Sequence, residues 1–300
     1  MASNGLDVRG AWLVFGAAAI WSFGGAIARF LQVTDSWTII FWRSVCAAVF
    51  LLGFMLRRDG LRGTVLLFAG MGWAGIGVAL CFATASTAFI VALAYTTVAN
   101  ILMMQAGAPL FAALMMFLLF GERVSLGTWV AIVAVMVGIG VMVSDSIDGS
   151  VSPVGDGLSL LIALSFALAT VLTRRNAHVR MMPAVCLATL CTLVIGFLFA
   201  GSLRVGFADA AWLFVFGALN LALGMMCFVT GVRLLPAAIA ALIGTAEPVL
   251  GPVWVWLVHG EVPASRTLVG GTMVIAALLA HLAWQLRQPR PAVTNVPFAD

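Results

Sequence analysis

The chain has 300 residues, of which 63% are hydrophobic and 9% charged, with a mean hydropathy of +1.16. A soluble domain is about 45–50% apolar and about 25% charged, and cannot bury this much apolar surface. The net charge of +4 comes from arginine alone. With no lysine anywhere, Schiff-base chemistry and a phosphate-binding loop of the usual kind are excluded.

A short polar head, MASNGLDVRG, precedes the first apolar run, which is too long and too closely followed by another span for a cleaved signal peptide. Gaps carrying charges or turn residues then divide the chain into ten spans: 11 to 31, 37 to 56, 64 to 93, 97 to 120, 126 to 143, 157 to 173, 181 to 201, 210 to 232, 236 to 259 and 265 to 286. Each approaches the roughly 20 residues that cross about 30 Å of hydrocarbon. They are apolar on every face, without the period-2 alternation of a barrel strand, so they read as transmembrane helices. The glycine-rich stretch 64 to 93 exceeds the length needed, which predicts a tilt, a bend or a break.

Arginine gathers on the cytoplasmic side of membrane proteins. With the amino terminus inside, Arg9, Arg57, Arg58, Arg62, Arg123, Arg174, Arg175, Arg180, Arg233, Arg287 and Arg290 are cytoplasmic, and only Arg204 and Arg266 face outward. Both termini are then expected in the cytoplasm. The loop SDSIDGSVSPVGDG, 144 to 157, is the boundary between two five-span units at 11–143 and 157–286, followed by a tail at 287–300. This loop is acidic, with Asp145, Asp148 and Asp156 expected outside.

The two units share landmarks. APLFAALMMFLLFGE, Ala108 to Glu122, returns 139 residues later as EPVLGPVWVWLVHGE, Glu247 to Glu261. Pro109 maps onto Pro248, and after eleven apolar residues Gly121 and Glu122 map onto Gly260 and Glu261, while Thr128 maps onto Thr267. An odd number of crossings per unit starts the second copy from the opposite side of the membrane. That predicts an all-α fold of ten transmembrane helices in two inverted five-helix repeats, with a binding site where they meet.

Charges inside the bilayer are costly and face protein or water. Arg29 lies near the outer end of helix 1, Arg43 within helix 2, and Glu247 in the middle of helix 9 just before Pro248. Arg43 and Glu247 either form an ion pair or backbone contacts that hold helices together, or they serve function. In the second case Glu247 meets a substrate amine or carries a proton, and Arg43 anchors a carboxylate or closes an outer gate. Asn100 and Gln105 in helix 4 and Asn220 in helix 8 either bond across helices or line a wet cavity. Pro109 and Pro248, each within a helix, free a carbonyl one turn earlier, near Gln105 and Gly244. Trp21, Trp73, Met103 and Phe228 are candidates for an apolar cavity wall, whereas Trp12, Trp212 and Trp284 read as interfacial anchors.

The five cysteines, at irregular spacing inside apolar runs, read as packing residues. His178, His259 and His281 are too scattered for a metal site, and no motif for a cofactor or a nucleophilic serine occurs, which argues against an enzyme. No basic stripe outside the spans suggests nucleic acid. The expected partners are the bilayer and a small-molecule substrate; the oligomeric state stays open, a monomer included.

The paired Pro and terminal Gly-Glu of helices 4 and 9, at Pro109, Gly121 and Glu122 and at Pro248, Gly260 and Glu261, resemble the drug/metabolite transporter superfamily, specifically its ten-helix EamA-type members. The resemblance covers about residues 11 to 286, and within it the chain is similar to YddG-type exporters of aromatic and other amino acids. It implies a central cavity formed by helices 1, 3, 4, 6, 8 and 9, and export of a small metabolite through the inner membrane of a bacterial cell by alternating access. Ala108 stands where Glu247 stands in the second copy, so a role for that carboxylate is not shared by both halves. An exporter of lipophilic cations or drugs fits one buried acid and many aromatic residues equally well. For Glu122 and Glu261 the resemblance leaves two roles, a solvated acid after a helix-ending glycine or an end-to-end contact that stabilises one access state.

Overall fold

The computed structural model describes residues 8–121, 124–147, 152–176, 178–235 and 237–287. Glu122 lies outside them. The described residues form an all-helical bundle with nine helices long and apolar enough to cross a membrane, or ten when a bent pair is counted as one span.

Span 1 is α1 (Val8–Ser22) and α2 (Gly24–Phe30), interrupted at Phe23. The sequence reading did not anticipate this break. Its local cause is the small, weakly helix-forming run around Ser22, Gly24 and Gly25. Gly25 is required by packing, because a Cβ there would collide with the Val98 side chain. Span 2 is the start of α3 (Ser36–Gly70), a long helix whose regularity is lost at Gly60, with φ 67° and ψ 177°.

The expected span at 64 to 93 is indeed broken. Residues up to Gly70 continue α3, and α4 (Gly72–Ala92) starts afresh after Met71, with Gly72 at φ 56°. Only glycine adopts that backbone without strain.

Span 4 is α5 (Val98–Gln105) and α6 (Ala108–Phe120), bent by 41°. Then come α7 (Leu126–Ile147), α8 (Pro153–Arg175) and α9 (Met182–Phe199). The second half opens earlier than the sequence suggested, because Pro153 suits the first turn of α8, where no intrahelical donor is needed. Span 8 joins α10 (Phe207–Phe214) to α11 (Gly224–Gly231) through a π-helical segment, Val215–Leu223. Span 9 is α12 (Ala237–Gly244) and α13 (Ala246–His259), and α14 (Ser265–Arg287) completes the bundle.

Pro109 and Pro248 do not sit inside continuous helices as the sequence reading had them. Each lies in the first turn of a new helix, α6 or α13, following a break at 106–107 or at Thr245. A proline there has no bond to lose, so the chain ends one helix and starts another instead of kinking. The repeat is equally plain at the other ends. Gly121 closes α6 with φ 65° and Gly260 closes α13 with φ 67°, both left-handed.

Candidate functional site at the repeat junction

Because the chain crosses the bundle alternately, α2 and α13 end, and α3, α5 and α10 begin, at the end opposite the N-terminus. This far end is fastened. Arg29 Nε donates to Glu261 Oε2 at 2.9 Å, and its NH1 reaches the Leu93 carbonyl at 3.1 Å. Glu261 Oε1 accepts the Val98 N–H at 2.9 Å. That N–H belongs to the first turn of α5, where backbone donors lack intrahelical partners and a negative charge is favoured by the helix dipole.

Below this latch α13 is held to span 1 along its length. His259 Nε2 lies 3.0 Å from the Ala26 carbonyl, which can only accept, so the proton sits on Nε2. Trp254 donates its indole N–H to Ser22 Oγ at 3.0 Å and stacks on Phe23 with centroids 4.8 Å apart. Phe30 stacks on Trp212 at 4.5 Å, and Asp209 accepts the Gln32 N–H at 2.9 Å, which adds α10 to the seal.

The opposite half is arranged differently. α13 packs on α5, α1 and α2, whereas beyond the breaks α12 packs mainly on α1 and α14, and α6 on α7 and α8. The two proline-containing spans therefore touch in one half and part toward different neighbours in the other. Glu247 stands at this fork, in the first turn of α13, half-buried and with no ion pair to any described residue. Gln105 is half-buried at the matching break.

Arg43 does not pair with Glu247, which removes the ion-pair reading of these two charges. Arg43 is 6% exposed, and its guanidinium lies 4.2 Å over the Phe216 ring and 6.0 Å from Phe89 and donates to Ser86 Oγ at 3.2 Å. Two aromatic faces stand where a counter-ion would be, a cation–π arrangement that gains strength when desolvated.

The other sequence candidates separate. Trp21 and Phe228 meet, with centroids 5.2 Å apart, and the Trp21 indole N–H is buried without an acceptor. Asn220 donates to the Ile20 carbonyl beside the break in span 1. Asn100 is committed to Asp156 Oδ1 at 2.6 Å and Thr96 at 3.0 Å, joining α5 to α8. Asp156 was expected in a solvated loop, but it is 5% exposed because the early start of α8 carries it inward. Met103 is 8% exposed and packs against Gly271 of α14, so it seals two helices together. Trp73 is 88% exposed at the start of α4 and cannot wall a central cavity. It shares a face with exposed Leu80, the face turned away from the bundle.

Sequence reasoning missed Ser22, Phe89, Trp254 and Phe216. Each is an ordinary residue of an apolar run, and only the crossing of distant helices sets it apart.

No curated protein matches the sequence. A solved structure, described only as the crystal structure of a protein, is similar in fold over 93% of this chain and 99% of its own, with a TM-score of 0.64 at 16% identity. The family model described as the EamA-like transporter family matches twice, over residues 8–144 and 153–282. Those two matches divide the chain where the Pro and Gly-Glu landmarks repeat, and with them the chain belongs to the EamA-like transporter family, as a multi-pass membrane transporter of the drug/metabolite type.

Proposed function

We propose that this protein exports amino acids and related small metabolites across a bacterial inner membrane by alternating access, with both termini in the cytoplasm. The arginine bias supports that orientation, and it makes the latched end the outer one. The observation that carries the reading is the fork: spans 4 and 9 converge under a closed outer end and separate on the cytoplasmic side, with the unpaired Glu247 at the point of divergence. A carboxylate kept there without a partner suits a ligand amine or a proton. The substrate class follows the likeness to YddG-type exporters.

The candidate contacts are Glu247, Gln105 and Asn220, with Trp21 and Phe228 on the apolar side. Asn100, Met103 and Trp73 are left out of the contact set for the reasons given above. A second reading, export of lipophilic cations, uses the same lone acid and aromatic wall.

Purified protein in liposomes, assayed for counterflow of labelled amino acids and of cationic dyes, tests both. Uptake of amino acids stimulated by the same amino acid inside supports the proposal. Counterflow of dyes alone supports the second reading.

A further inference from the structure

We propose that the pocket beside Arg43 binds the carboxylate of the transported amino acid. The inference rests on the exporter reading and names the end of the substrate that Arg43 receives.

A guanidinium carries five N–H donors. That of Arg43 makes one hydrogen bond, to Ser86, and its buried Nε has no acceptor. No carboxylate among the described residues comes within ion-pair distance of it. A cation taken out of water without a counter-ion is expensive, and the ring of Phe216 offsets only part of that cost.

The surroundings have the same bias. The Trp21 indole N–H is a second buried donor without an acceptor, and Trp21 packs on the apolar cluster that contains Phe82, Leu221 and Met225. Those three side chains, together with Ser86, Thr189 and Thr192, wall a small cavity of about 10 Å³, room for roughly one water molecule. The hydroxyl of Ser86 therefore faces both this cavity and Arg43. The unsatisfied donors near the cavity, Arg43 Nε and the Trp21 indole N–H, are the complement of a carboxylate.

The two charges also have opposite signs, lie on α3 and α13, and belong to different repeats. Neither has an ion-pair partner among the described residues. An amino acid brings the carboxylate that Arg43 lacks, whereas a lipophilic cation leaves Arg43 as it is. In the outer-closed state the cavity is small, so the carboxylate enters as the helices around it rearrange.

The test compares phenylalanine, phenylalaninamide and phenethylamine as labelled substrates in proteoliposomes. Arg43→Gln should raise KM for phenylalanine about tenfold or more, the loss expected for a hydrogen bond to a charged group. KM for phenylalaninamide and phenethylamine, which carry no carboxylate, should stay within about twofold. Arg43→Lys should recover part of the loss, and Ser86→Ala should show a smaller rise with the same selectivity. If Arg43→Gln does not fold, the ratio of KM values in the Lys and Ser86 variants decides alone. Equal changes for all three substrates, or no change in that ratio, overturn the subsite. Transport of phenethylamine without phenylalanine by the unaltered protein overturns it too, in favour of the cation reading. Transport of neither removes the exporter reading and the subsite together.

Discussion

Arg29 and Glu261 stand 2.9 Å apart although 232 residues separate them, and the second oxygen of the same carboxylate caps α5 through the Val98 N–H. One side chain just past the end of α13 in the second repeat thereby holds two elements of the first. The pair is partly open to water, with side chains 31% and 21% exposed. Such pairs contribute about 0–1 kcal/mol. That is a small barrier to release, which suits a gate that must open in every cycle.

Glu261→Gln, and Arg29→Gln separately, should therefore shift the resting population toward the outward-open state by up to about fivefold without loss of fold. Labelling of a cysteine placed at Thr97 by a membrane-impermeant maleimide measures the shift. Unchanged labelling would mean that Glu261 is only a solvated acid after a helix-ending glycine.

Glu247 has no partner at the fork, so Glu247→Gln should abolish accumulation of substrate against its gradient and flatten the pH response of transport. Concentrative transport with the original pH profile would remove Glu247 from coupling.

Asp35 begins α3 outside the membrane-spanning part. Partial burial alone would raise its pKa, but the Thr38 hydroxyl and the N–H groups of Trp37, Gly201 and Thr38 outweigh this and hold it below the ordinary 3.8. A carboxyl with a depressed folded pKa stabilises the fold above its unfolded pKa, and that contribution is lost as pH falls through the folded value. Asp35→Asn removes the charge but keeps an oxygen that can cap α3, so at neutral pH it should cost less than the roughly 1 kcal/mol typical of a cap lost outright. Thermal unfolding from pH 7 down to below 4 should bring the variant and the unaltered protein together at the acid end.

Gly260 closes α13 at φ 67°, where an L side chain costs about 1–2 kcal/mol. Gly260→Ala should lower the melting temperature by several degrees and, by redirecting Glu261, raise outward labelling of the Thr97 cysteine as Glu261→Gln does. Gly260→Asn should do less of both, since asparagine tolerates the left-handed region better. A melting shift without a labelling change would separate the cap from the latch.

Helix number, helix type and the duplication were readable along the chain, because hydrophobic run length and the Pro and Gly-Glu spacing are local quantities. The same landmarks pointed to Glu247 and Glu261, since a carboxylate in or beside an apolar run is conspicuous without any coordinates. Three-dimensional packing decided the rest. It showed that the prolines start helices instead of kinking them, because that depends on how the two breaks are supported by neighbours. It assigned Asn100 and Met103 to helix–helix contacts, turned Trp73 away from the bundle, joined Arg29 to Glu261, and left Arg43 between two phenylalanine rings instead of beside Glu247. A helix turns about 100° per residue, so which neighbour a side chain meets depends on the rotation and crossing of whole helices. Those are set by contacts between residues hundreds of positions apart, which no short stretch of sequence contains.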